Sequence, residues 1–320
     1  MNKAKIATVF GSNGFVGQYV VQQLALAGYR VRAASCGPDY GMLLRYLGRV
    51  GQVAPFYASV TDEKSVACAV KGADLVVNLT AVLSMSDRHS LKTVNIEGAG
   101  CVARLAAEAG VRRFIHMSDL AVSASTSVHS LYIKSRLKGE AQVHHYQPEA
   151  AIIRPSVIFG AEDKFFNLLA GFARYLPFLP ICQGNTKLQP VYVGDVSRIV
   201  VAVAQKTEHV GGIWSVGGPS IMTMRESATF VLKETRRNKS VIEVPSWIVG
   251  LGASLCRYWP GVIRTRNIMQ ALTIESIVHE ENNAFDAFGM TPRSVVSCVP
   301  SYLERYRKGG SPFGVIIGEL

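Results

Sequence analysis

Three glycines near the start of the chain have the spacing of a phosphate-binding turn. Gly11, Gly14 and Gly17 follow the apolar, β-branched run Ile6–Phe10, and apolar residues at helical spacing come next. The pattern predicts a strand, a tight turn and a helix. Gly11 would permit the turn, Gly14 would let the backbone approach phosphate oxygens, and Gly17 would let the helix pack on the strand. Because a helix N-terminus has unpaired N–H groups, we expect a dinucleotide diphosphate here; a glycine-rich surface turn is the alternative.

A second group of residues suited to chemistry is Tyr132-Ile133-Lys134-Ser135-Arg136, at the start of a helix predicted to run to about residue 144. Residues four apart share one helical face, so Tyr132 and Arg136 are neighbours. A cation beside a phenol lowers the pKa of that phenol, which makes tyrosine usable as a general acid or base. Without the glycine turn, the same tyrosine would be interpreted as structural.

The elements that must position these residues alternate between strands and helices. Such alternation predicts βαβ units in an α/β fold, with a doubly wound parallel sheet and right-handed crossovers. Thr61 is expected to cap the helix that follows the third strand, and another helix is expected over about 91–109. After the first strand, further strands are predicted at 29–35, 53–58, 73–79, 113–118 and 150–154.

Past Pro155 the alternation loosens and the chain becomes mostly helical. We therefore expect a dinucleotide-binding domain over residues 1–160 and a smaller part over 161–320 that binds a substrate or partner, with segments returning to the sheet. Asp195 is expected to cap a helix in this second part. The stretch 246–259 combines two tryptophans, apolar residues and a basic residue, which is typical of an interfacial or partner-docking helix, or of a helix covering a cleft.

Composition narrows the classes of function. Hydrophobic residues make up 48% of the 320 residues, so the chain can bury a sizeable core. The net charge of +11 suits an anionic partner or membrane surface, but Lys and Arg are scattered and no nucleic-acid motif accompanies them, so we expect no nucleic-acid binding. The six cysteines are far apart, which favours reduced thiols in a cytoplasmic protein, and no spacing indicates a metal site. We also expect no transit peptide and no transmembrane segment.

Taken together, the motifs resemble the short-chain dehydrogenase/reductase superfamily in its extended or atypical branch. The resemblance rests on Gly11-xx-Gly14-xx-Gly17, Asn78-Leu79-Thr80-Ala81, Tyr132-xxx-Arg136 and Arg154-Pro155-Ser156-Val157-Ile158-Phe159-Gly160. It implies a Rossmann-type sheet that binds a dinucleotide. The residues expected to bind it are Gly11, Ser12, Asn13, Gly14, Phe15, Val16, Gly17, Ser35, Val60, Leu79, Thr80, Ala81, Tyr132, Arg136, Pro155 and Val157.

A narrower resemblance involves residues 154–163, 165–167 and 189–196. These stretches are similar to the NADPH-binding accessory subunit of respiratory complex I and its bacterial relatives. In that family the nucleotide is thought to be tightly held and structural. The resemblance implies NADPH as the cofactor, complex I subunits as partners, and a peripheral place on the cytoplasmic face of a bacterial inner membrane.

The end of the second predicted strand bears on the choice between NADPH and NADH. An acidic residue there favours NAD, whereas a basic residue accommodates a 2′-phosphate. Ser35, Cys36 and Gly37 include no carboxylate to repel a phosphate, and Ser35 can donate to one. We therefore expect NADPH, with NADH as the alternative. Arg32 is nearby, but the sequence does not fix the face of the sheet on which it lies.

The chain departs from the superfamily pattern at two catalytic positions. Arg136 takes the place of a lysine that contacts the nicotinamide ribose; arginine keeps the charge but is bulkier and planar. The place of the Ser or Thr that polarises a substrate carbonyl falls on Asp119, whose carboxylate would repel a developing oxyanion. A register shift of one residue would restore Ser118. The departures favour weak or absent turnover.

The leading hypothesis is a nucleotide-binding accessory subunit or assembly factor of respiratory NADH:ubiquinone oxidoreductase. The alternative is a catalytically active NAD(P)-dependent reductase, epimerase or dehydratase, in which Tyr132 is the acid/base, Arg136 its electrostatic helper and Ser118 the carbonyl-polarising hydroxyl. A nucleotide-sensing regulator is a third hypothesis.

Overall fold

A computed structural model describes residues 4–37, 42–82, 90–123, 130–206, 211–245, 274–279 and 283–309. The stretch 246–259, predicted to be an interfacial, docking or cleft-covering helix, lies outside the described residues.

Strands and helices alternate through the first half of the chain, as the sequence predicts. The strands are β1 Ile6–Phe10, β2 Arg30–Ser35, β3 Val53–Tyr57, β4 Leu75–Asn78, β5 Arg113–Met117, β6 Ala151–Pro155, β7 Ile158–Phe159, β8 Leu179–Ile181, β9 Lys187–Leu188, β10 Val191–Tyr192, β11 Gly212–Val216, β12 Met222–Thr223 and β13 Val241–Glu243. The α-helices are α1 Phe15–Leu26, α2 Glu63–Val70, α3 Ala99–Glu108, α4 Leu131–Tyr146, α5 Phe166–Tyr175, α6 Val193–Gln205, α7 Met224–Glu234, α8 Ala284–Phe288 and α9 Val295–Leu303. A π-helix, Leu91–Gly98, leads into α3, and 3₁₀ turns span Leu43–Leu47, Leu120–Val122 and Glu304–Tyr306.

Seven strands of the described part form one parallel sheet in the order β11-β6-β5-β4-β1-β2-β3. This confirms the predicted doubly wound α/β fold, and β11 joins the sheet from the second half of the chain. The order reverses between β1 and β4, where the chain winds outward in both directions. In open α/β sheets a ligand binds at such a switch point, beyond the carboxyl ends of the strands.

Both faces of the sheet are covered, which explains the nearly continuous apolar strands. Val9 of β1 packs on the side of α1 and α6, in a cluster with Leu24 and Val200. Phe10, one residue later, points to the opposite face and packs with residues of α2 and α3. A separate cluster around Phe166 joins α5, α7 and α9 in the second half of the chain.

Two predicted helix caps are wrong. Asp62, not Thr61, caps α2: its side chain accepts from the Lys64 N–H. Asp195 lies inside the first turn of α6, which begins two residues earlier. Its buried carboxylate pairs with Arg198 at 2.9 Å and accepts from the Arg293 N–H at 2.6 Å, so it ties α6 to the segment before α9.

Candidate functional site

A cavity of about 400 Å³ lies beyond the carboxyl ends of β1, β4, β5 and β6. It brings together most of the residues that the sequence predicts for the site. These are Gly11, Gly14, Phe15, Val16, Gly17, Leu79, Ala81, Ser118, Tyr132, Arg136, Pro155 and Val157. The cavity therefore runs from the glycine turn across β4 to the residues that follow β5 and β6.

The glycine turn owes its shape to its small residues. Gly11 has φ +76°, in the left-handed region that favours glycine. A Cβ on Gly17 would overlap the Gly11 carbonyl oxygen and the Ser12 backbone, so α1 can approach the turn only without one. The first N–H groups of α1, at Phe15 and Val16, have no acceptor within the helix and lie at the cavity wall. They are suited to bind an anion.

Ser12 and Asn13 do not line the cavity. The Ser12 side chain is buried, and its N–H and Oγ both donate to the Ala34 carbonyl of β2, at 3.3 and 3.0 Å. Ser12 therefore fastens the turn to β2. Ser35, Val60 and Thr80 also lie outside the lining residues.

The loop after β4 is held from behind by Asn95, in the π-helix. The Asn95 side chain accepts from the Val82 N–H at 2.9 Å and donates to the Val82 carbonyl and to Ser135 Oγ, each at 3.0 Å. Thr80 Oγ1 donates to Asn78 Oδ1 at 2.6 Å. These bonds fix the backbone that presents Leu79 and Ala81 to the cavity.

Tyr132 and Asp119 are hydrogen-bonded at the cavity wall. The phenol of Tyr132 donates to Asp119 Oδ2 at 3.2 Å, while Oδ1 accepts from the Ala121 N–H at 2.9 Å. Burial, followed by the charge of Asp119, raises the pKa of Tyr132 above its ordinary value. Burial also raises the pKa of Asp119, although its bond to Ala121 and the charge of Arg136 oppose that shift. The phenol is thus held protonated, contrary to what a catalytic base requires.

Ser118 lines the same cavity and is buried, and its Oγ has no hydrogen-bond partner among the described residues. Both members of the predicted alternative, Ser118 and Asp119, therefore reach the site. Asp119 is the one that contacts the phenol.

Arg136 uses its guanidinium on the backbone. It is 2% exposed and donates to the carbonyl oxygen of Met117 at the end of β5, and to that of Thr80 in the loop after β4 at 3.4 Å. Its Nε has no partner among the described residues. Arg136 therefore links two strand ends beneath the cavity, a role that the motif spacing does not reveal.

One turn further along α4, Glu140 forms a buried ion pair with Arg154 of β6. The closest nitrogen and oxygen are 2.5 Å apart, and a second nitrogen of Arg154 donates to Glu140 at 3.0 Å. The two side chains are 4% and 13% exposed. The pair fixes α4, which carries Tyr132 and Arg136, against the sheet.

Arg32 is unavailable to a cofactor phosphate in this arrangement. Its guanidinium donates to the carbonyl oxygens of Ala69 and Lys71, at 3.0 and 2.6 Å, at the end of α2. Ser35 is buried, and its Oγ donates to the Gly37 carbonyl at 3.2 Å.

The far wall of the cavity contains residues that were not among the predicted site residues. Ser156, Ile158, Lys164 and Phe165 fall within or next to motifs that carried the family resemblance, so a local signal existed. Leu188 also lies next to such a motif, whereas Ser276 has no local signal and reaches the cavity only through the tertiary fold. Asp163 holds the loop before α5 in place: its carboxylate accepts from the Phe165 N–H at 2.9 Å and the Tyr302 phenol at 2.5 Å.

The arrangement can bind an elongated anion along the switch point. The unpaired N–H groups of α1 line one end of the cavity. Among the described lining residues Asp119 is the one carboxylate, and it follows β5, which lies two strands, or about 10 Å, from β1 in the sheet. At that second end the phenol is paired with a carboxylate and the arginine is occupied by carbonyl groups.

The family model of the RmlD substrate binding domain matches residues 5–247. Mitochondrial NADH dehydrogenase (ubiquinone) 1 alpha subcomplex subunit 9 of Arabidopsis thaliana is 31% identical over 327 residues, covering 98% of this chain and 81% of that protein. The same subunit of Mus musculus is 31% identical over 309 residues, covering 94% and 80%.

Solved structures share the fold at lower identity. A dTDP-glucose 4,6-dehydratase from Streptomyces venezuelae, solved with NAD bound, has a TM-score of 0.71 at 18% identity and covers 94% of this chain and 96% of that chain. Within the described ranges, every helix is too short or too polar to cross a bilayer.

Proposed function

We propose that this chain, which belongs to the extended short-chain dehydrogenase/reductase family of the RmlD substrate binding domain, is a dinucleotide-binding accessory subunit of respiratory NADH:ubiquinone oxidoreductase. The chain aligns with alpha subcomplex subunit 9 proteins over nearly its whole length. The hydrogen bond from Tyr132 to Asp119 carries the argument for a binding role, because it directs the phenol proton to a carboxylate of the chain itself and away from a substrate in the cavity.

The described residues fit a dinucleotide. The glycine turn lets α1 present free N–H groups to the cavity, and the turn itself contributes no carboxylate that would repel a diphosphate. When bound, NADPH supplies a hydride. The chain's own residues in this proposal hold the diphosphate, exclude water and keep the Tyr132 proton in place.

NADPH is the proposed nucleotide. Its 2′-phosphate would meet the end of β2, where Ser35 has a hydroxyl and residues 35–37 include no acidic side chain. A Ser35→Asp variant would introduce the missing carboxylate. It should weaken NADPH binding more than NADH binding, as measured by calorimetric titration of both nucleotides. An equal loss of affinity for NADPH and NADH would show that Ser35 does not lie next to the 2′-phosphate.

The decisive experiment measures both occupancy and turnover of the purified protein. We expect NADPH to co-purify, identified by its absorbance and mass, and we expect no reduction of ketones or nucleotide sugars. The alternative is an active enzyme that uses Tyr132 and Arg136. In that case Arg136→Lys, which restores the superfamily lysine, should keep or raise an existing activity. Robust turnover by the wild-type protein would overturn the accessory role.

The proposed partners are complex I subunits, and the proposed location is peripheral, on the cytoplasmic face of a bacterial inner membrane. The net charge of +11 suits an anionic membrane surface. Affinity purification of the tagged chain from solubilised membranes should recover NADH dehydrogenase subunits identified by mass spectrometry. Recovery of the chain alone from the soluble fraction would contradict the assignment.

A further inference from the structure

A short segment from late in the chain closes the cavity beside Tyr132. Ser276 lines the cavity and is 5% exposed. Ile274 packs against the cluster that contains Tyr132 and Ile133. We call residues 274–279 the strap. It meets the cavity through Ser276 and the Tyr132 cluster through Ile274.

Backbone hydrogen bonds fasten the strap beside β9. The Ser276 N–H donates to the Lys187 carbonyl at 3.1 Å, and the Gln189 N–H donates to the Ser276 carbonyl at 3.0 Å. The Ser276 carbonyl also accepts from Ser156 Oγ at 2.8 Å. Ser156 follows β6 and lines the cavity, so this bond joins the strap directly to the end of a central strand of the sheet.

The Gln189 side chain adds a second fastening. Its Oε1 accepts from the Val278 N–H at 2.8 Å, and its Nε2 donates to the Gly218 carbonyl at 2.7 Å. One amide group therefore bridges the strap to the segment that follows β11. All these bonds are formed by the chain itself, so the strap is closed without help from a ligand.

We propose that the strap controls how fast a bound dinucleotide leaves, and that Gln189 and Ser156 are the positioning residues that keep it closed. The inference rests on the proposed function, because it concerns the nucleotide of that site. A nicotinamide group lying beside Tyr132 would be covered by Ser276, and its departure would require the strap bonds to open. Slow release is what an accessory subunit needs to keep its nucleotide.

The test compares Gln189→Ala and Ser156→Ala with Gln52→Ala. Gln52 is a matched control, since it is also half-buried and its amide also donates to backbone carbonyls, those of Ala25 and Tyr29, away from the cavity. Each full-length protein is loaded with NADPH and mixed with excess NADP⁺, and nicotinamide fluorescence reports release. Loss of about one hydrogen bond should accelerate release roughly fivefold in the two strap variants and leave the control unchanged.

Hydrogen exchange in nucleotide-free protein provides the second measurement. The Val278 amide should exchange faster in Gln189→Ala than in the wild type, whereas Ser156→Ala keeps this bond. Equal NADPH release rates in all variants would overturn the strap proposal and leave the proposed function standing. Failure of the wild-type protein to retain NADPH would overturn both.

Discussion

The phenol oxygen of Tyr132 lies 3.2 Å from Oδ2 of Asp119, the carboxylate that follows Ser118 after β5. The contact changes both groups. The phenol donates a hydrogen bond to the Asp119 carboxylate. Burial raises the pKa values of both Tyr132 and Asp119. The pair stabilises the cavity wall while the phenol is protonated.

Replacing Asp119 by Asn should change the pH dependence of stability. Burial raises the folded-state pKa of Asp119, so the folded state binds the proton more tightly than the unfolded state. The free energy of unfolding should therefore fall as the pH rises from about 4 through the folded-state pKa. Because Asn does not titrate, the part of this fall that is due to Asp119 should be absent from Asp119→Asn. Urea unfolding of both proteins across this pH range measures the difference.

Asp62→Asn is the control for this experiment, because Asp62 also accepts from a backbone N–H but is exposed on the surface. The fall in stability that is assigned to Asp119 should remain in this variant. The same profile in Asp119→Asn and the wild type would show that the Asp119 carboxylate is not perturbed as described.

Arg136→Met should lower the free energy of unfolding. The substitution removes the donor from the Thr80 carbonyl group, which is partly buried, and from the Met117 carbonyl group, which is buried. We expect a loss of about 2–3 kcal/mol by urea unfolding. Arg112→Met, at an exposed arginine before β5, should change stability by less than about 0.5 kcal/mol. A similar small effect at both positions would show that Arg136 is not a structural link.

Gly17→Ala and Gly171→Ala should have opposite effects. An added methyl at Gly17 overlaps the glycine turn and should destabilise the fold by about 1–3 kcal/mol while weakening NADPH binding. Gly171 lies inside α5, where a Cβ meets nothing within 4 Å, so alanine should stabilise by about 0.5–1 kcal/mol. Thermal unfolding and nucleotide titration measure both effects. Unchanged NADPH binding by Gly17→Ala would exclude the turn from the site.

A double-mutant cycle at Glu140 and Arg154 should reveal strong coupling. Either Glu140→Gln or Arg154→Met leaves one buried partner without its counterion, at a cost of about 3 kcal/mol. The double variant should lose clearly less than the sum of the single losses, because no unpaired charge remains. Additive losses in urea unfolding would indicate that the two charges are independently solvated.

Local pattern was sufficient to predict the glycine turn and the pairing of Tyr132 with Arg136 on one helix. The glycine turn is bounded by β1 and α1 as expected, because strand and helix periodicities change within a few residues. Tyr132 and Arg136 share one side of α4, as their spacing requires. These features depend on neighbours in the sequence, and the parallel sheet follows from their repetition.

The remainder depends on contacts that spacing does not encode. Arg32 was considered for a phosphate, but its position in β2 directs it to the end of α2. Asp195 looked like a helix cap, but Arg293, 98 residues later, supplies its backbone partner. Ser276 enters the cavity because Gln189 and Ser156 fasten it there, and no local motif marks it.

The strand order also determines when each wall of the cavity exists during synthesis. β1, β2, β3 and β4 are complete by Asn78 and are mutual neighbours in the sheet. The glycine turn and α1 lie between β1 and β2 in the chain. A growing polypeptide can therefore form the glycine-turn end of its cavity while Ser276, about 200 residues after Asn78, has still to be translated.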